Sequence, residues 1–355
     1  MKRIILDCDL MRHPNSGLYH YCLNLGKNIQ PLLEQDRSGK IAFYVPPAES
    51  TAFGPAARHI IEKKSFWHFL RPPLQHCDIW HAPFQSGRIV PDKRKYPHTK
   101  ILLTIHDLNP LHEGKPVEEQ RKSLAHTQSL IDRSDAIVCI SEFCRNDVLK
   151  NCEVSNKPLY VVHNGTHMVH APHMNGSSYK PSRPFIFGMG YVNTKKNYHV
   201  LLSLLHDENI ELIVAGRLDE PDYIDNMKKQ AAAMGVADRL HLLGPVTEGE
   251  KGWYLENCMA FVHPSLAEGF GAPVVEAMKL GKPLFLSSLT SLPEIGGDSA
   301  FYFSSFDGEH MREVFCKGMQ RYQKEHMSAM IMSRGTKFDW NQKAKEYLEV
   351  YKSLY

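Results

Sequence analysis

The chain has 355 residues, long for a single core, so two domains are the default expectation. Its 43% hydrophobic and 23% charged content is ordinary for a globular protein, and a formal net charge of +3 is too small to argue for nucleic acid. No apolar run approaches the roughly 18 residues of a membrane-crossing helix.

The opening MKRIILDCDLMRHPNSG reads as a short strand and a polar loop, too short in its apolar part for a signal peptide, so a cytoplasmic protein is expected. The cysteines follow no pairing pattern. Cys8, Cys139 and Cys258 sit in or beside apolar runs and read as buried thiols. Cys139 and Cys144 lack the CxxC spacing of a zinc site, and no metal site is expected. The sequons at Asn164 and Asn175 carry no meaning in that compartment.

Strand candidates in the first half are 4–8, 41–45, 77–82, 101–105, 136–140 and 159–162. In the second half they are 185–190, 210–215, 240–243, 260–263, 283–287 and 300–303. Many are apolar on both faces, as strands covered on both sides must be. Helical patterns fall between them at 18–35, 117–133, 195–206, 222–235, 248–257, 272–280, 308–323 and 339–354. This alternation predicts an α/β protein with parallel sheets and crossover helices. The stretch 167–184, rich in Pro, Gly, Ser and Asn, reads as a domain linker. The basic excess lies on its N-terminal side. Two α/β domains facing across a cleft hold ligands at the carboxyl ends of their strands.

Five features could carry chemistry there. After the first strand, Gly17 precedes a helical pattern and offers backbone N–H groups to a phosphate or a sugar. This is not a GxGxxG fingerprint, and a plain strand–helix turn reads equally well. Next, KKSFWHFLRPP (63–73) and PDKRKYPHTK (91–100) interleave basic residues with Phe66, Trp67, Phe69 and Tyr96. Such a surface can rest peripherally on anionic lipid headgroups, although solvated loops share its composition. Third, the strand ILLTI ends at His106-Asp107, which faces a cleft if one exists, with Asp107 available to orient the ring. His163 reads as structural, and His81 as a weaker acceptor-side candidate.

Fourth, GMGYVNTKKNYHVLL (188–202) ends a strand and opens a helix at Lys195-Lys196-Asn197, where a lysine can reach a diphosphate as a compact point charge. The last feature is HPSLAEGFGAPVVEAMKLGKP (263–283). Glu268 and Glu276 flank a glycine turn that should open a helix near Ala272. Gly269 and Gly271 permit positive φ and close ligand approach, and Pro273 suits a first-turn position. Unpaired helix-start N–H groups suit a diphosphate, and carboxylates on either side suit hydroxyls. Together they describe a nucleotide sugar. The plain alternatives are a helix cap at Glu268 and a first-turn carboxylate facing the dipole at Glu276.

On these residues the chain resembles the retaining glycosyltransferases of family 4, and the resemblance runs nearly end to end. EGFGAPVVEA is similar to that family's paired-glutamate segment, with Glu268 and Glu276 in the two carboxylate positions. PSLAEGFG and TSLPEIGGDSA fit the same pattern. TKKN resembles its basic R-K-N segment, with Lys195 in the Arg place and Lys196 in the Lys place. TIHDLNP resembles the strand-end His-Asp of members that build bacterial surface polysaccharides, and FDWNQKAKEYLEVY (338–351) resembles the terminal helix that crosses back to the first domain. Two departures stand out: Tyr191 follows Gly190 where many members carry Arg, and Lys195 lacks the arginine fork.

The resemblance implies a GT-B fold of two Rossmann-like domains: an acceptor domain over 1–175, a donor domain over 176–338 and a crossover helix over 339–355. It implies metal-independent transfer of a hexose, with retained configuration, from a nucleotide sugar to a saccharide or lipid-linked acceptor, with no cofactor. GDP-mannose and UDP-hexoses are both open, with the His-Asp subgroup pointing to GDP-mannose. It assigns catalytic roles to His106, Lys196 and Glu268. It assigns donor contacts to Gly17, Lys195, Asn197, Val246, Gly269, Phe270, Gly271, Ala272, Val274 and Glu276. Two rivals are a sugar-nucleotide 2-epimerase on a similar scaffold and a non-catalytic nucleotide-sugar binding protein.

Overall fold

Along the first strand the side chains alternate, so Ile4 and Leu6 enter one buried cluster while Ile5 enters another. A strand apolar on both faces needs cover on both, and the computed structural model supplies it. It describes residues 1–14, 16–62, 77–86, 90–167, 179–206 and 209–355. These form two compact units, Met1–Gly165 with Phe338–Tyr355, and Thr166–Lys337.

The first unit holds strands β1 (Lys2–Asp7), β2 (Gly39–Val45), β3 (Arg58–Ile61), β4 (Ile79–Ala82), β5 (Lys100–Ile105), β6 (Ala136–Cys139) and β7 (Leu159–Val161). They pair in parallel in the order β3-β2-β1-β4-β5-β6-β7. Helix α1 (Gly17–Asp36) packs on the face of Ile4, Leu6 and Phe43. Residues from α2 (Val117–Arg133) and α3 (Glu142–Asn151), among them Leu130, Ile131 and Val148, join Ile5, Trp80 and Ile137 on the other.

The second unit holds β8 (Phe185–Met189), β9 (Glu211–Ala215), β10 (Leu240–Gly244), β11 (Ala260–His263), β12 (Leu284–Ser287) and β13 (Phe301–Phe303). Their order is β10-β9-β8-β11-β12-β13, again parallel. Its helices are α4 (Pro221–Ala233), α5 (Glu248–Asn257), α6 (Ala272–Lys279), α7 (Leu292–Gly296), α8 (Gly308–Lys324) and α9 (Ser328–Gly335). Both units are therefore Rossmann-like, and the expectation of an α/β chain with two parallel sheets holds. In each, the chain builds outward on one side of its first strand and then returns to the other side. The reversal falls between β1 and β4 in one unit and between β8 and β11 in the other. Loops leaving strands on either side of such a reversal diverge and leave a crevice at their carboxyl ends.

The last helix, α10 (Trp340–Ser353), returns to the first unit. Trp340, Tyr347 and Tyr351 are buried in the cluster that contains Ile4 and Leu25. The Tyr21 and Tyr347 hydroxyls share a short hydrogen bond. His81 bonds Tyr351 through Nδ1 and Thr104 through Nε2, each at 2.8 Å.

Several elements differ from the sequence reading. Residues 195–206 form two 3-10 segments, Thr194–Lys196 and Tyr198–His206, separated by left-handed Asn197 at φ 58°. Strand β3 and helices α3, α7 and α9 were not expected. Most of the linker stretch, 168–178, and the basic stretch 63–73 lie outside the described residues. All eight cysteines are free thiols, most of them buried. Among the described residues no helix is long and apolar enough to cross a membrane.

Candidate functional site

The chemistry gathers at the β8/β11 reversal. Strand β8 runs into Gly190, whose backbone lies against Gly216 at the end of β9: a Cβ on Gly216 would stand 2.0 Å from the Gly190 carbonyl oxygen. Both residues take positive φ, 145° and 139°, so glycine alone fits this close approach. The loop then turns on Asn193, whose side chain accepts from the Lys196 amide at 3.1 Å. The Lys195 carbonyl accepts from the Leu266 amide at 2.8 Å, which ties this loop to the one after β11. Asn197 is buried, and its amide group donates to the Pro264 carbonyl at 3.3 Å.

These ties bring together side chains far apart in sequence. The Lys196 Nζ pairs with Glu268 Oε1. His263, at the end of β11, donates from Nε2 to the same oxygen at 2.8 Å. Burial alone pushes the Glu268 carboxyl up, but Lys196 and the His263 N–H outweigh it and hold the group well below its ordinary value. The Glu268 backbone is gripped too. Its amide donates to Thr290 Oγ1 at 2.9 Å, and its carbonyl accepts from Ser291 Oγ at 2.9 Å. Glu268 is thus a paired carboxylate in the loop between β11 and α6. It does not cap α6, whose N-cap, Gly271, receives no side-chain hydrogen bond.

Gly269 and Phe270 are buried, and Gly271 sits in the left-handed region at φ 88° immediately before Ala272 opens α6. Val274 is fully buried, and its amide already donates to the Gly271 carbonyl at 2.9 Å. That amide is engaged within the helix start, while Gly271 and Ala272 lie nearer the helix mouth. Glu276 is the fifth residue of α6, beyond the first turn where it was expected. It faces Lys251 of α5, Nζ to Oε1 at 3.1 Å, and Lys251 also pairs with Glu248 at 2.8 Å. Burial raises the Glu276 carboxyl, opposed by Lys251.

Tyr191, where a cation was missing from the sequence, carries one on its face: the Arg217 guanidinium lies 4.4 Å from the ring centroid and pairs with Asp219. Val246 is half-buried in the short link between β10 and Thr247, the N-cap of α5. Beneath the loop, the fully buried Tyr198 hydroxyl has no hydrogen-bond partner among the described residues.

In the first unit, Gly17 is the exposed first residue of α1, and Ser16 caps the helix by accepting from the Tyr19 amide at 3.1 Å. His106 is buried just past β5. Its Nε2 lies 2.8 Å from the Pro83 carbonyl, which can only accept, so that nitrogen carries the proton. The Pro83 carbonyl, rather than Asp107, orients the ring; Asp107 Oδ1 accepts instead from the Asn109 amide at 3.0 Å. Tyr21 and Phe84 pack edge-on against the imidazole at 4.8 and 5.4 Å. Burial lowers the His106 value to about 4, so the ring is neutral, with Nδ1 as an acceptor. His81 is structural: it is fully buried, bonded at both nitrogens and lowered to about 3 by burial. In the 91–100 stretch, Lys93 is held by Asp135 at 2.7 Å and Tyr96 packs on the core, which leaves less of it to face a lipid surface.

Sequence reasoning gave no role to His263, Lys251, Thr290 or Ser291. His263 stood in the quoted segment five residues before Glu268. Lys251 lies on another helix, and no local pattern joins it to Glu276.

The model described as Glycosyl transferases group 1 matches residues 173–311, and the Glycosyltransferase Family 4 model matches residues 28–168. The serotype-specific mannosyltransferase WbdA of Escherichia coli is 26% identical over 277 residues, covering 72% of this chain and 34% of that protein. The chain thus spans about a third of the length of WbdA. The O-antigen chain mannosyltransferase B of Escherichia coli is 23% identical over 399 residues, covering 99% of this chain and 100% of that one. Anabaena Alr3699/HepE, solved with UDP and glucose, superposes with a TM-score of 0.74 at 16% identity, covering 99% of this chain and 100% of that one. Sucrose-phosphate synthase from Thermosynechococcus elongatus gives 0.75 at 15%, covering 100% and 99%. At such identities these two structures speak for the fold alone. With two adjoining family matches and two parallel-sheet units of the same design, the chain belongs to the family 4 type of glycosyltransferases with the GT-B fold.

Proposed function

We propose that this glycosyltransferase moves a hexose from a nucleoside diphosphate sugar, GDP-mannose or a UDP-hexose, to a saccharide or lipid-linked saccharide in polysaccharide or O-antigen assembly, with retention at the anomeric carbon. The observation that carries the reading is the meeting of Lys196 and Glu268 at the β8/β11 reversal, directly before the α6 N-terminus. The names of the mannosyltransferase relatives and the UDP and glucose held by HepE support the substrate class.

Without donor, Lys196 and Glu268 neutralise each other. The donor offers both a better partner. Its diphosphate takes the ammonium, with Lys195 and the Gly271 and Ala272 N–H groups adding positive charge. Its sugar hydroxyls donate to the Glu268 carboxylate, and Glu276 accepts from the ribose. Neutral His106 accepts a hydroxyl hydrogen bond at Nδ1. In the transfer step the acceptor oxygen bonds to the anomeric carbon on the face that the phosphate leaves. The bond to phosphate breaks, and the departing phosphate oxygen takes the acceptor's proton. Negative charge grows on the leaving diphosphate, where one preorganised donor such as Lys196 is worth about 3–4 kcal/mol. We read the transfer as metal-independent because these groups supply that charge.

Thermal shifts with UDP, GDP, ADP and dTDP select the nucleotide, since a ligand at a hundred times its Kd adds about 2.7 kcal/mol. Transfer is then followed by NMR of the product's anomeric signal, with Glu268→Gln as the control. A retained anomer in the parent and none in Glu268→Gln supports the reading. An epimerised donor without acceptor favours the epimerase, and binding that never leads to transfer favours the binding protein.

A further inference from the structure

His263 is an unusual choice for the end of a core strand. It is fully buried, beside Phe261 in near-parallel stacking at 6.0 Å. Its Nδ1 has no hydrogen-bond partner among the described residues, an arrangement that costs desolvation and that an apolar residue would avoid. The neighbouring residues of β11, Ala260, Phe261 and Val262, are all apolar and buried. What the imidazole does is donate from Nε2 to Glu268 Oε1 at 2.8 Å. Lys196 reaches that same oxygen. Glu268 Oε2 makes no hydrogen bond among the described residues.

We propose that His263 is a positioning residue for the donor sugar: its Nε2–H pins Glu268 Oε1, so that Oε2 stays aimed at the sugar hydroxyls when Lys196 leaves for the diphosphate. This rests on the reading of Glu268 as the hydroxyl-holding carboxylate. Two atoms on one oxygen explain why one can leave. Lys196, on a flexible stem, exchanges partners; His263, locked in the core, does not. A neutral donor at this place adds no charge to repel Lys196, and its hydrogen bond favours the ionised carboxylate alongside the ammonium. The nucleotide moiety does not touch this bond, so its loss falls on the sugar.

The test uses His263→Leu, which removes the N–H, and His263→Gln, whose amide nitrogen reaches the Nε2 position. A carboxyl-detected NMR titration of the ligand-free protein, assigned with Glu268→Gln, follows the Glu268 midpoint. Calorimetry compares GDP-mannose with GDP and UDP-glucose with UDP. In His263→Leu the midpoint moves up. The preference for the sugar nucleotide over the bare diphosphate falls about tenfold or more, the worth of a hydrogen bond to a charged group, while binding of the bare diphosphate is unchanged. His263→Gln restores both. A His263→Leu protein with the parent's midpoint and the parent's preference overturns the proposal, as does a folded His263→Gln protein that restores neither. Should His263→Leu fail to fold, His263→Asn, whose amide falls short of Glu268, takes its place. If the parent binds no nucleotide sugar, the proposed function falls, and the titration alone still decides whether His263 holds the carboxylate.

Discussion

Replacing Lys196 by Met keeps the stem and deletes the charge, leaving the buried Glu268 carboxylate with His263 as its remaining side-chain partner among the described residues. The two side chains of the pair are 14% and 12% exposed, so solvent screens the loss little. Removing one partner of a buried pair costs about 3–5 kcal/mol; the surviving His263 bond puts this site at the lower end, about 3 kcal/mol. For a unit of this size that is a fall in Tm of about 6–12 °C at pH 7.5. Adding Glu268→Gln to Lys196→Met removes the stranded charge and recovers most of it. The pH dependence has a definite sign. In the parent, the folded Glu268 value lies below the unfolded one, so its stabilisation is present above the ordinary carboxylate range and fades as pH falls through the depressed folded value. In Lys196→Met, burial pushes the carboxyl up, and protonation relieves the strain. The gap in Tm between parent and variant therefore narrows from pH 7.5 toward pH 4.5. Differential scanning calorimetry across that range decides. Equal melting at pH 7.5, or a gap that stays constant with pH, refutes the reasoning.

Lys196→Met also lowers kcat more than it raises KM, because the charge it meets grows in the transition state; steady-state kinetics showing only a raised KM count against that role. Lys251→Met frees the Glu276 carboxylate from its 3.1 Å partner, and the expected outcome is weaker nucleoside diphosphate binding by calorimetry with kcat changed little. His106→Ala cuts transfer and leaves bare diphosphate binding nearly unchanged; because burial holds His106 at about 4, the parent's pH–rate profile shows no limb from it above about pH 5. Tyr347→Phe deletes the short bond to Tyr21 and costs about 0.5–1.5 kcal/mol, read as a lower Tm with the same far-ultraviolet dichroism.

The fold was legible because the strands are apolar runs bounded by turn residues. β11 fell on its expected residues, and β5, β9 and β12 within one residue. β3 escaped because Arg58-His59-Ile60-Ile61 is an edge strand without a buried residue. α3 escaped because its buried positions are Cys144, Asp147 and Val148, a face too polar to register as periodic. Glu268, Glu276 and Lys196 were legible as types in suggestive places. Their partners were not. Lys196 meets Glu268 because β8 and β11 are neighbours in the sheet, and no spacing along the chain encodes that. His263 read as the end of a strand, since its bond to Glu268 depends on how the intervening loop folds back.

The return of α10 to the first unit also fixes an order of events on the ribosome. Trp340, Tyr347 and Tyr351 belong to the core that contains Ile4 and Leu25. Synthesis delivers β1 and α1 early, but their last packing partners emerge only after every residue of Thr166–Lys337 has been made. The second unit can therefore mature while the nascent first unit still waits with an open face of α1, and a stalled chain ending before Trp340 is expected to leave that face for chaperones to hold.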